Sequence, residues 1–190
     1  KDPRFAAAQV NASELEDVRE LIRKANPDVV INAVDPRYVM PIFLACEIEN
    51  TNYIDMAMSL SRPHPHYPYT ETGVKLGDEQ FARDWNWGER KIYALVGMGI
   101  EPGLSDVFAK YASDHLFSRI DSLTVLDGSN LVVEGYEFAP SFSIWTTIEE
   151  CLNPPLVWED GRGWYTTEPF SELEIFNFPE GIGPVQCVNV

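Results

Sequence analysis

Asp28-Val29-Val30-Ile31-Asn32-Ala33-Val34 is apolar and β-branched at consecutive positions, with no alternation between a wet and a dry face. Such a run suits a parallel strand covered by helices on both sides. The residues around it repeat that logic. Upstream, Ser13-Glu14-Leu15-Glu16 has the form of a capping box, and Leu15, Val18, Leu21, Ile22 and Ala25 recur at helical spacing until Asn26-Pro27 stops the helix. Downstream, Asp35-Pro36 closes the strand, Val39 to Glu49 is a compact apolar helix, and Asn52-Tyr53-Ile54-Asp55-Met56-Ala57 is a second short strand. Pro63, Pro65 and Pro68 exclude a regular helix from 59–76 and make it a long loop. Asp78 to Arg90 reads as helix and Lys91 to Gly97 as a third buried strand. A helix from Gly103 to His115 then carries Leu104, Val107, Phe108, Tyr111 and Ala112 on one face. Phe5 to Val10 reads as a further mid-sheet strand. Strand and helix in alternation define an α/β chain with a parallel, doubly wound sheet.

The pattern changes near Ser118. Ile120 to Leu126 and Asn130 to Phe138 read as strands, and Trp145 to Leu152 as a short helix. Leu156–Glu159 and Trp164–Thr167 flank Asp160-Gly161-Arg162-Gly163, a hairpin turn by composition, and Leu173 to Phe178 is another strand. The expected organisation is a partial parallel-sheet domain over 1–117 followed by an α+β domain over 118–190.

Composition narrows the partners. The 190 residues hold 14 Lys plus Arg against 30 Asp plus Glu, a net charge of −16. A field of that sign repels phosphate backbones, so nucleic acid and anionic membranes are poor partners. No apolar run reaches the ~20 residues of a membrane span, and no signal peptide is visible. Cys46, Cys151 and Cys187 are scattered and odd in number, which points away from a disulfide scaffold and toward a reducing, cytoplasmic setting. His64 and His66 lie in the proline-rich stretch and read as solvated, so no metal site is expected. Trp85, Trp87, Trp145, Trp158 and Trp164 read as core or interface anchors.

In an open parallel sheet, ligands bind beyond the carboxyl ends of the strands. That rule selects Ala33-Val34-Asp35, Asp55-Met56-Ala57-Met58 and Gly97-Met98-Gly99-Ile100-Glu101-Pro102-Gly103. The glycines and the Pro-Gly step permit a sharp turn, and the N–H groups of Gly103, Leu104 and Ser105 would face the crevice as an anion site. The plainer reading is an ordinary strand-turn-helix corner. Asp35 and Asp55 read equally well as site acids and as helix caps or loop acids. No G-x-G-x-x-G turn occurs.

These residues resemble the saccharopine dehydrogenase superfamily of oxidoreductases. The resemblance is carried by Asp28–Ala33, Asn52–Asp55, Gly97–Ala109, Asp127-Gly128, Ser141-Phe142-Ser143, Trp158-x-Asp160-Gly161 and Phe178-Pro179-Glu180-Gly181. It implies a Rossmann domain holding NADP or NAD, then an α+β domain for substrate binding and homodimerisation. The implied chemistry is hydride transfer at the CH–NH bond of an amino-acid-derived secondary amine, with saccharopine reductases, lysine 6-dehydrogenases and the carboxynorspermidine and homospermidine synthases as relatives. The likeness puts Ile100, Glu101 and Pro102, beside Gly99, in the cofactor-contacting turn, and Ala33, Val34 and Asp35 along the cofactor path. Glu101 stands where relatives carry an Asp that contacts substrate. Ala57 and Met58 stand where some carry Ser-Tyr facing it. Asp55 or Glu101 would hold the substrate ammonium. No catalytic acid or base is assigned. The absent N-terminal Gly-rich turn implies a chain lacking the first strand-turn-helix, and weak dinucleotide binding by this extent alone. The rival reading is a dinucleotide-binding protein without turnover, motivated by Ala57, Met58 and Glu101.

Overall fold

The computed structural model describes residues 2, 4–128, 131–137 and 143–190, which divide into two units: 1–60 with 76–112, and 61–75 with 113–190. The proline-rich loop thus groups with the second unit. Its composition marks it as a loop but carries no information about which neighbour it packs on.

The first unit is built on three short parallel strands. Helix α1 (Leu15–Ala25) leads to β1 (Val29–Asn32). A 3-10 turn (Pro36–Tyr38) and α2 (Val39–Ile48) lead to β2 (Asn52–Asp55). Two short helices, α3 (Asp78–Phe81) and α4 (Asp84–Arg90), precede β3 (Ala94–Leu95), and α5 (Leu104–His115) follows. The sheet order is β1-β2-β3. Val30 pairs with Tyr53, Asn32 with Asp55, and Tyr53 with Ala94.

One face of this sheet is the core. Val18 and Ile22 of α1, Ile42, Phe43, Ala45 and Cys46 of α2, and Trp87 of α4 pack with Tyr53, backed by Val30, Ala94 and Val96. Phe43 stands edge-on to Tyr53 at 5.3 Å between centroids and lies 4.7 Å from Trp87, distances at which aromatic pairs add to plain area burial. Burial raises the Cys46 thiol to about 12, so it is an inert core residue. The opposite face is open: Val29, Ile31 and Leu95 are 40%, 62% and 52% exposed. The expectation of helices on both sides of β1 therefore holds for one side only among the described residues. An apolar run reports that both faces suit burial, not what covers them.

Three local expectations give way. Ser13 does not cap α1; its Oγ donates to Asn11 Oδ1, and Glu14 occupies the cap without a side-chain bond. Phe5 to Val10 forms no strand, and Phe5 is 77% exposed. The apolar face of α5 is largely exposed: Val107, Phe108 and Tyr111 are all more than half exposed.

The second unit holds α6 (Ile144–Leu152), the hairpin β4 (Leu156–Glu159) with β5 (Gly163–Thr166), and the hairpin β6 (Ser171–Phe178) with β7 (Gly183–Asn189). The first hairpin turns through Asp160-Gly161-Arg162, and Arg162 N–H donates to Glu159 C=O. Thr166 Oγ1 donates to Pro68 C=O at 2.8 Å, tying β5 to the 61–75 loop. Residues 120–126 and 131–137 form no strand; Asn130 and Phe138, with Ser141-Phe142, lie outside the described residues. Alternation alone does not make a strand, which also needs a partner edge. Of the five tryptophans only Trp87 is core; Trp85, Trp145, Trp158 and Trp164 are all more than half exposed.

Buried Glu47 on α2 accepts from Arg83 Nη2 at 2.8 Å and from Arg83 Nε, which joins α2 to the start of α4. The Arg83 hydrogen bonds hold its carboxyl below the usual carboxylate range. Its stabilisation is thus present above the unfolded-state value and lost as pH falls through the lower, folded value. Arg83→Met should cost about 1–3 kcal/mol, since it takes from a buried acid its nearest, partly exposed cation and leaves it Arg90 at 3.9 Å. Urea unfolding should also show a weaker loss of stability on acidification than in the unsubstituted chain.

Candidate functional site

The three strand-end segments converge at one edge of the sheet, and buried polar residues in the last inward positions hold them. Asn32 ends β1. Its Nδ2 donates to Tyr53 Oη at 2.8 Å, and its Oδ1 accepts from Val34 N–H. Asp55, its register partner, ends β2. Asp55 Oδ1 accepts from Gly97 N–H and Oδ2 from Gln80 Nε2, both at 2.7 Å, while its backbone C=O accepts from Met98 N–H. Gln80 Oε1 accepts in turn from Ser59 N–H at 2.7 Å. Burial raises the Tyr53 hydroxyl, and Asp55 adds to the rise against an opposing hydrogen bond from Asn32.

Asp55 is 1% exposed with both oxygens engaged. Met58 points back into the fold: a Cβ on Gly97 would stand 2.3 Å from its Cε, and one on Gly77 2.6 Å from its Sδ. Ala57 is half-buried beside it. Asp35 caps the 3-10 turn, accepting from Arg37 N–H and pairing with the Arg37 guanidinium through both oxygens at 2.9 Å. Those hydrogen bonds lower its carboxyl. Of the two readings of Asp35, the structure displays the cap.

The 97–103 turn is closed on itself. Gly99 N–H donates to Pro102 C=O, Leu104 N–H to Gly99 C=O and Ser105 N–H to Ile100 C=O. Gly103 N–H donates to Asp106 Oδ2 at 3.0 Å. The expected anion site at the start of α5 is therefore already filled, by the chain's own carbonyls and the Asp106 carboxylate. The glycines serve this closure. A Cβ on Gly103, at φ +131°, would meet the Gly99 and Gly97 carbonyls at 2.5 and 2.6 Å; one on Gly99 would meet Met56 C=O at 2.4 Å. The Glu101–Pro102 peptide is cis.

What remains outward is an apolar rim with one acid. Val34, Met56 and Met98 are about half exposed and Ile100 is 79% exposed. Ala33 and Glu101 are exposed as well, and the Glu101 carboxylate makes no hydrogen bond or ion pair among the described residues. This surface fits the flat ring end of a dinucleotide. The filled amides of α5 do not fit its phosphates.

Residues 1–95 match the saccharopine dehydrogenase NADP binding domain family. The chain belongs to that family, whose cofactor is a nicotinamide dinucleotide. Its relatives include carboxynorspermidine synthases from Vibrio alginolyticus, 33% identical, and Vibrio cholerae, 31% identical, each matched over 93% of this chain and 41% of the relative. A carboxyaminopropylagmatine dehydrogenase from Synechocystis is 27% identical over 93% of the chain and 42% of the relative. The chain thus spans about two fifths of the relatives' length. Apo saccharopine dehydrogenase (L-Glu forming) from Saccharomyces cerevisiae shares the fold, with a TM-score of 0.59 at 15% identity over 97% of this chain and 39% of that one.

Sequence alone gives no role to Asn32, Tyr53, Ser59, Gln80 and Asp106, although Asn32, Tyr53 and Asp106 lie in the stretches that carry the resemblance. A shared signal marks the first two and Asp55: a polar side chain at the last inward-facing positions of a buried strand, where a hydrogen bond must be found. Asp106→Ala should cost about 1 kcal/mol by uncapping α5 and speed amide exchange at Gly103, read by thermal unfolding and hydrogen exchange. Asp35→Asn should cost less than about 1 kcal/mol, because its ion pair is solvent-accessible.

Proposed function

We propose that the chain supplies the nicotinamide-facing part of an NAD(P)-dependent oxidoreductase acting on the CH–NH bond of a secondary amine, with a carboxylated polyamine as the favoured class. The similarity to carboxynorspermidine synthases over nearly the whole chain carries this reading. It favours a polyamine over saccharopine itself. When bound, the dinucleotide supplies the hydride.

The chain's own residues then have distinct tasks. Val34, Met56, Met98 and Ile100 offer apolar surface to the nicotinamide end and exclude water beside the reacting carbon. Glu101 presents an exposed carboxylate, unengaged among the described residues, at the same edge, suited to a substrate ammonium. A net charge of −16 raises the local concentration of any polycation.

The test is oxidation of NADPH and NADH by the intact protein, followed in the reduced-nicotinamide absorbance band, with diamines plus amino-acid-derived aldehydes as substrates. Glu101→Ala should raise the amine KM by about 10–100-fold, the value of one charge-assisted hydrogen bond, and leave the dinucleotide KM unchanged. An unchanged amine KM removes Glu101 from the site. Tight NADPH binding without turnover of any amine and aldehyde pair would favour the non-catalytic reading.

A further inference from the structure

The Asp55–Gln80 pair crosses from β2 to α3 and governs two of the three strand-end segments at once. Both side chains are buried, at 1% and 3% exposure. Asp55 holds Gly97, the first residue of the closed turn, and Gln80 holds Ser59, two residues beyond Ala57. The geometry points to Asp55 and Gln80 as positioning residues: together they set the height of the 97–103 turn above the sheet, and so the place of Ile100 and Glu101 relative to a bound nicotinamide ring. This rests on the function proposed above, and it gives the buried acid a role other than touching the amine.

Hydrogen-bond polarity makes the arrangement one-way. Along the chain of contacts, Gly97 N–H donates to Asp55, Gln80 Nε2 donates to Asp55, and Ser59 N–H donates to Gln80 Oε1. Both ends of the pair must accept, so the pair together needs three acceptors and one donor. An acid with an amide meets that count and two amides do not. Asp55→Asn places one amide N–H₂ against another, or, if Gln80 turns over, against Ser59 N–H. Gln80→Glu sets two carboxyls face to face. The exchanged pair, Asp55→Asn with Gln80→Glu, restores these three contacts: the new amide accepts from Gly97 and donates to the new carboxylate, which also accepts from Ser59. Size and net charge stay as they were.

The experiment measures kcat and KM for the amine and the dinucleotide in the intact protein, with amide exchange at Gly97 and Ser59. Ile22→Ala, a core truncation on α1, an element with no part in the strand-end turns, serves as a control for lost stability alone. Each single exchange should lower kcat at least about tenfold, since displacement of a positioned group on the ångström scale costs up to about a hundredfold, and both amides should lose protection. The exchanged pair should regain kcat to within about threefold, with protection restored, while Ile22→Ala keeps its kcat. Singles with normal kcat, or an exchanged pair no better than the worse single, would overturn the proposal. If the wild-type protein neither binds nor oxidises a nicotinamide dinucleotide, the proposed function falls. The clamp then stands if protection at Gly97 and Ser59 is lost in the singles and regained in the pair, and it falls if protection is not regained.

Discussion

A carboxyl with 1% exposure and two short hydrogen bonds is the joint on which the ligand-facing edge depends. Burying an acid is costly unless its oxygens are engaged. Asp55 meets that demand with a backbone amide from the turn after β3 and a side-chain amide from α3. Neighbouring Asn32 does the same for the turn after β1, through Val34 N–H and Tyr53. The sheet supplies register, since Asn32 and Asp55 face each other across β1 and β2. Low local dielectric then makes each bond stronger and each lost partner more expensive. The loops beyond the strands inherit their positions from these buried polar ends more than from their own composition.

The 97–103 turn shows the same economy at smaller scale. Its amides are satisfied by its own carbonyls and by Asp106, and its glycines admit those carbonyls at distances no Cβ would tolerate. What this edge leaves outward is side chains: Val34, Met98 and Ile100 are apolar and exposed, and Glu101 is an exposed acid. The fold was formed by packing below the edge, where Phe43, Tyr53 and Trp87 make the aromatic centre of the first unit. Tyr53 belongs to both layers, its ring in the core and its hydroxyl in the polar network.

Much of this was legible in the residues. The strand at Val29–Asn32, the helix at Val39–Ile48 and the hairpin around Asp160-Gly161 follow from β-branching, unbroken apolar character and turn chemistry. The family followed from the Gly97–Ala109 stretch joined to the strand motifs. What escaped has physical reasons. Ser13 had a capping pattern, but Asn11 offered a nearer acceptor. Asp78–Arg90 had one helical pattern, yet two short helices form, α3 ending at Phe81 and α4 beginning at Asp84. Met58 looked available to a ligand because sequence does not say which way a side chain turns; Gly77 and Gly97 leave it a slot in the fold. The α5 amides looked free because the carbonyls that consume them come from the turn's own closure. The exposed turn residues Ile100 and Glu101 could be named from the motif; the hydrogen bond from Gln80 to Asp55, reaching across 25 residues, could not.

The open side of the three-stranded sheet has a colloidal consequence. In these 190 residues Val29, Ile31 and Leu95 are an exposed apolar strip, and copies of the chain repel each other through sixteen net negative charges. In dilute buffer the repulsion reaches about 30 Å and keeps the strips apart. At about 1 M salt it reaches only about 3 Å, and the strips can then meet. Self-association of these 190 residues taken alone should therefore rise with ionic strength.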